Sequence, residues 1–190
     1  MLMGRTTGRD ADDTRLQIID AAARLISRRG SGVPISAIAE AAGVSKGGLL
    51  YHFASKDDLL EAVARRLFDA FYDAVHDLAA ADPDPGRLLR AYVRVSFADV
   101  ADEAATRDMI SVAAQLIHEP RIQQIAADDG ARWHDELFAD GLDPAVVRLV
   151  LTATDGVSAA PLWGTVLTRD DVDALEAQLL ELAAAPTIEV

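Results

Sequence analysis

Apolar residues recur at three- and four-residue spacing along nearly the whole chain, and no run shows the sustained alternation of a strand. That pattern points to an all-α fold. The first helix is expected over about 14–29, with Leu16, Ile19, Ala23 and Ile26 on one face and Gly30 placed to stop it. After a turn at 30–34, Ile35, Ile38, Ala39 and Ala42 mark a short second helix. Gly43 can take the left-handed conformation that ends it, and Ser45 can cap a third helix. Ser55 and Asp58 make a start resembling a capping box for a long helix over 56–80, with Leu59, Leu60, Val63, Leu67, Phe71 and Leu78 apolar. The run Asp82-Pro83-Asp84-Pro85-Gly86 breaks the chain. Further helices are expected over about 87–101, 106–117, 121–139, 145–163 and 170–184, about nine in all.

Several function classes lack the residues they need. Without cysteine there is no disulfide framework, thiolate nucleophile or cysteine-based zinc site. The longest apolar stretch, 149–163, is too short to span a bilayer and carries Asp155, so no membrane partner is expected. The start, MLMGRTTGRDADD, lacks the apolar run of a signal peptide, and a cytoplasmic location is expected. Asp73 and His76 have the spacing of a di-iron helix without its second copy, and His118-Glu119 lacks the second histidine of a zincin. No GxSxG and no phosphate-cradling glycine loop occurs, so the expectation is no enzyme, no metal and no cofactor.

The formal net charge of −13 argues at first against a polyanionic partner, but the charge is unevenly spread. Residues 1–56 hold eight Lys or Arg against five Asp or Glu, whereas residues 57–190 hold ten against twenty-six. Only the first part is suited to face a polyanion. Within it, the stretch GVSKGGLLYHFASKDDL, 43–59, sets two glycines just inside a short helix, at roughly 1 kcal/mol each in helix propensity. That cost makes sense if the backbone must come close to another surface. Ser45 stands at the positive end of the helix, Lys46 adds a cation, and Tyr51 and His52 present polar tips at its far end. Leu49 and Phe53, four apart, face inward.

The segment IAEAAGVSKGGLLYHFASKDDLLEAV, 38–63, resembles the DNA-binding signature of the TetR family of bacterial transcriptional regulators. It combines the AGVS turn, the aromatic-His-Phe ending and the SK start of the next helix. The resemblance implies a flexible N-terminal arm over 1–13, a helix-turn-helix domain over 14–56 and an effector-binding and dimerisation domain over 57–190. It implies that Ser45, Lys46, Gly47, Gly48, Tyr51 and His52 line double-stranded DNA and that Lys56 binds phosphate, with Ser36 a weaker phosphate candidate. Leu50 stands where relatives often carry an aromatic residue, and Pro34 where they often carry a Ser or Thr cap. The implied protein is a homodimeric repressor on a palindromic operator, released by a small effector that tilts the fourth helix. A transcriptional activator, or an interaction module without effector, is the alternative.

In the acidic body, Phe68, Phe71, Tyr72, Tyr92, Met109, Ala113 and Trp133 lie on faces expected to look inward, where they suit the wall of a pocket for a mostly apolar effector. Val172, Leu175, Leu179 and Leu182 step by three and four along the last helix, a seam suited to a partner helix, and Leu151 joins the expected dimer interface. Arg87, Arg90 and Arg94 fall on one stripe expected to face solvent. Asp155 has no evident role.

Overall fold

The computed structural model describes residues 7–101, 103–160, 164 and 166–184, without side chains at 7–10 and 99–105. Among them are nine helices: α1 Thr7–Arg29, α2 Ile35–Ala41, α3 Lys46–His52, α4 Lys56–Ala79, α5 Arg87–Ala101, α6 Glu103–Leu116, α7 Pro120–Phe138, α8 Pro144–Ala159 and α9 Arg169–Ala184. The protein is all-α, and no described helix is long and apolar enough to cross a membrane.

Two compact units divide the chain: Met1–Leu67 with Ser111–Ile125, and Phe68–Ile110 with Ala126–Val190. This boundary differs from the one expected at 56/57. Leu59, Leu60 and Val63 of α4 are buried within the first unit's stretch, so a helix that starts at residue 56 still supplies the core of the stretch before it.

In the first unit, α1 begins at Thr7, so the helix covers part of the segment expected as an arm. The polar run ahead of residue 14 reads as loop only if a helix end needs an apolar face, and a solvated end does not. The buried face of α1 is Ile18, Ile19, Ala22 and Ile26, whereas Leu16 points outward. Pro34 precedes α2 and makes no side-chain cap bond, as its missing hydroxyl dictates. Gly43, at φ 69°, closes α2 and turns the chain into α3, whose Leu49 and following Phe53 are buried.

In the second unit, α5 packs on α8 and α9, which also pack on each other. The core joins Val75, Leu89, Val93, Trp133, Leu137, Val147, Val150 and Leu179. The α4–α5 turn is pinned from several sides. Arg90, expected on the surface, is 7% exposed. Its Nε donates to Asp82 Oδ2 at 2.9 Å, Nη1 to the carbonyls of Pro85 at 2.8 Å and Ala183 at 2.7 Å, and Nη2 to that of Asp84 at 3.2 Å. The arginine turns inward because a proline-broken turn leaves carbonyls that no helix amide can reach. Asp140 completes the joint: its carbonyl accepts from Gly86 N–H and its carboxylate from Leu88 N–H, both at 2.7 Å, capping α5 from a distant part of the chain. Gly86 has φ 83°, and a Cβ there would lie 2.7 Å from Leu142 and 2.9 Å from the Ala183 carbonyl.

The residues expected to form a dimer seam have contacts within the chain. Val172, Leu175 and Leu179 pack on the chain's own core, as does Leu151, because α9 needs that face to cover α5 and α8. Of the named positions only Leu182 is exposed, together with Leu149 of α8, at 39% and 57%.

Candidate nucleic-acid interface and ligand site

The first unit presents α3 with its sequence-predicted residues on the outside. Ser45, Lys46, Gly47 and Tyr51 are exposed, as is Ser36 on α2, while Gly48, His52 and Lys56 are half-buried. Ser45 is the N-cap, and its hydroxyl accepts from Gly48 N–H at 2.9 Å. The amides of Lys46 and Gly47, in the first turn of the helix, keep no acceptor within it and are oriented for an anion. Tyr51 is 84% exposed and meets His52 edge-on, ring centroids 5.3 Å apart.

The two glycines have different reasons. A Cβ at Gly48 would come within 3.2 Å of Ser45 Oγ, so the cap itself favours glycine there. At Gly47 a Cβ would meet nothing nearer than 3.9 Å, and φ is not positive. Among the described residues nothing calls for glycine at 47.

Behind α3, the start of α4 is held by polar contacts. Ser55 Oγ accepts from Asp58 N–H at 3.1 Å, the expected half of a capping box. Arg121 of α7 bridges Asp58, at 3.1 Å, and Glu61, which also holds Arg65 at 3.0 Å. The Ser55 hydrogen bond and Arg121 hold the Asp58 carboxyl below its usual range.

The second unit gathers four of the seven residues expected to line a ligand site. The Trp133 ring lies 5.8 Å from Phe71, 5.2 Å from Tyr72 and 5.3 Å from Tyr92, and Phe71 meets Tyr92 edge-on at 5.1 Å. Phe68 is half-buried outside this set of ring contacts. Met109 and Ala113 are exposed on α6, and Ala113 falls in the first unit's stretch, which corrects their expected inward position. Their face of α6 is the solvated one: Val112 and Leu116 are the buried pair.

Each tyrosine hydroxyl ends on a carboxylate that the sequence pattern had not assigned. Tyr72 donates to Glu136 Oε1 at 2.8 Å, and Glu136 Oε2 meets His76 Nε2 at 2.8 Å. The Arg132 guanidinium sits 3.7 Å over the Tyr72 ring and reaches Asp129 at 2.5 Å. His76, read at first through its spacing from Asp73, thus faces Glu136 one helix away. Tyr92 donates to Asp155 Oδ1 at 2.9 Å. Burial first, then the neighbouring carboxylate, pushes both tyrosine hydroxyls above their usual range. Burial likewise raises the Asp155 carboxyl, partly offset by the Tyr92 hydrogen bond. The signal for Asp155 was its isolation among Thr, Gly and Ala on α8. Glu136 carried no sequence signal, because partners sixty positions away are set only by helix packing.

The comparisons agree with this architecture. Residues 18–63 match the family described as bacterial regulatory proteins, tetR family, and residues 86–184 match the tetracyclin repressor-like C-terminal domain. The HTH-type transcriptional regulator BetI of Burkholderia thailandensis is 32% identical, the match covering 76% of each protein. Among solved structures, the multidrug binding protein EbrR complexed with malachite green shares 26% identity at a TM-score of 0.67, over 88% of this chain and 96% of that one. A TetR family member from Streptomyces coelicolor A3 also gives 26% and 0.67, over 90% and 98%. With α3 exposed in the first unit, a ring cluster in the second and both halves matched, this chain belongs to the TetR family of DNA-binding transcriptional regulators, whose C-terminal domain is the ligand-binding one.

Proposed function

We propose that the protein is a repressor that binds a palindromic operator as a homodimer and is released by a small, mostly apolar effector held in the second unit. The observation that carries the operator reading is Gly47. Its glycine costs roughly 1 kcal/mol in helix stability and relieves no close contact among the described residues. A surface that the α3 backbone must approach closely accounts for it, and a major groove is such a surface. Lys46, Gly48, Tyr51 and His52 lie on the same helix with Ser45 as its cap, while Ser36 lies on α2 and Lys56 opens α4. Dimerisation falls to the outward faces of α8 and α9, where Leu149 and Leu182 are exposed.

The effector reading rests on the four-ring cluster of Phe71, Tyr72, Tyr92 and Trp133. It is supported by the multidrug binding protein EbrR, solved in complex with malachite green and with ethidium, in structures aligned over most of this chain. α4 contributes to both units. An effector that prefers the conformation unable to span two half-sites lowers operator affinity, whereas one binding both conformations equally changes nothing.

The test is selection of duplexes from random DNA by the purified protein, followed by titration of the selected site. An inverted repeat with half-site centres about 34–36 Å apart is expected. Lys46→Ala should weaken binding and reduce the salt dependence by about one phosphate contact. Failure to enrich any duplex, or an unchanged affinity and salt slope in the variant, refutes the operator reading.

A further inference from the structure

The two carboxylates on the ring cluster are not equivalent. Glu136 is matched from within: His76 lies on one oxygen at 2.8 Å, Tyr72 on the other, and Arg132 covers the Tyr72 ring. Arg132 in turn is paired with Asp129. Asp155 has the Tyr92 hydroxyl at 2.9 Å and, among the described residues, no Lys, Arg or His within ion-pair distance. A tyrosine hydroxyl stabilises a carboxylate but does not neutralise it. The group is also partly desolvated, which raises its carboxyl above the usual range, yet the residue keeps an exposed side. Tyr92 is seated against Phe71 and Trp133. A carboxylate without a cation, partly desolvated, open on one side and next to the edge of a ring cluster, is the arrangement a cation satisfies twice, by charge and by ring quadrupole.

From this juxtaposition of Asp155, Tyr92 and Trp133 we infer that Asp155 is the counter-ion of the effector and that the effector is a monocation carried on an apolar body. This rests on the effector reading above and gives it a charge class. An anion would be repelled by Asp155. A neutral molecule would leave the Asp155 charge beside the rings without a counter-ion. The other side of the cluster sets Arg132 over the Tyr72 ring and His76 against Glu136, and adds shape rather than charge selection.

The experiment uses the whole protein with two fluorescent probes, ethidium as a flat monocation and anilinonaphthalene sulfonate as an apolar anion. Wild type should bind ethidium and prefer it to the anion. Asp155→Asn keeps an oxygen acceptor for Tyr92 and removes only the charge, so it should lower ethidium affinity by about tenfold or more without weakening the anion. Asp155→Glu, which keeps the charge, should retain most of the ethidium affinity, and thermal melting confirms that both variants fold. Ethidium binding that is equal in wild type and Asp155→Asn overturns the inference and leaves the effector reading standing. Wild type that binds neither probe overturns both. Retained ethidium affinity in an Asp155→Asn variant that has become monomeric assigns the charge to an interface between copies and also overturns the inference.

Discussion

Replacing Arg90 by methionine keeps much of the aliphatic stem and removes the fork of donors that ties the α4–α5 turn to the last turn of α9. Four acceptors lose their partner: the carboxylate of Asp82 and the carbonyls of Asp84, Pro85 and Ala183. They do not lose equally. Asp82 retains 24% side-chain exposure and can take water, so its share is small. The carbonyls of Asp84 and Pro85 belong to part-buried contacts and rehydrate in part. The Ala183 carbonyl is in a buried contact and forfeits a charge-assisted bond with little access to water. Together these come to about 3 kcal/mol, the largest share from Ala183. For a chain of this length that is a fall of about 6–12 °C in the melting temperature. Tryptophan fluorescence is a suitable probe, because Trp133 lies in the core of the second unit. Arg90→Lys should recover only part of the loss, since an ammonium cannot reproduce a planar fork. A shift below about 2 °C in Arg90→Met would refute the reasoning, and would mean that the turn and α9 are held by Gly86, Leu142 and Asp140 alone.

Two other expectations follow from the same geometry. Asp155 has a raised pKa in the folded state, so its stabilising contribution is full below its unfolded value and is lost as pH rises through the folded one. Asp155→Asn should therefore melt higher than wild type at neutral pH, with the difference closing as pH falls through the usual carboxylate range; a variant less stable than wild type at pH 7 contradicts this. Leu149→Glu with Leu182→Glu should give folded monomers by sedimentation, whereas Leu179→Glu should unfold the second unit, because it buries a charge in that unit's own core. A folded dimer in the first case places the interface elsewhere.

The DNA-reading half was legible in the sequence because its determinants are local. Ser45 and Gly48 are three residues apart, Leu49 and Phe53 four, and Gly43 needs only its own φ. The all-helical class was equally plain from spacing. What sequence could not settle was which of two apolar faces a helix turns inward. α9 has one seam that reads as a zipper and uses it to cover its own core. α6 hides Val112 and Leu116 and leaves Met109 and Ala113 in solvent. Arg90 misled for the complementary reason: a stripe of arginines looks solvated until a broken turn supplies carbonyls for one of them. Glu136 and Asp155 find their tyrosines across sixty or more positions, a distance at which periodicity carries no information.

The cap on α5 also sets the order in which the second unit can assemble during synthesis. Leu88 N–H waits for the carboxylate of Asp140, Gly86 N–H for the carbonyl of the same residue, and Arg90 for the carbonyl of Ala183. Until residue 140 has left the ribosome the first turn of α5 is without its cap, and until residue 183 has done so a guanidinium waits in a half-formed core. α5 can be helical earlier, but it cannot be locked. The unit therefore closes late and as a whole, and its apolar faces stay exposed to chaperones and to other nascent chains for most of the time the chain is being made.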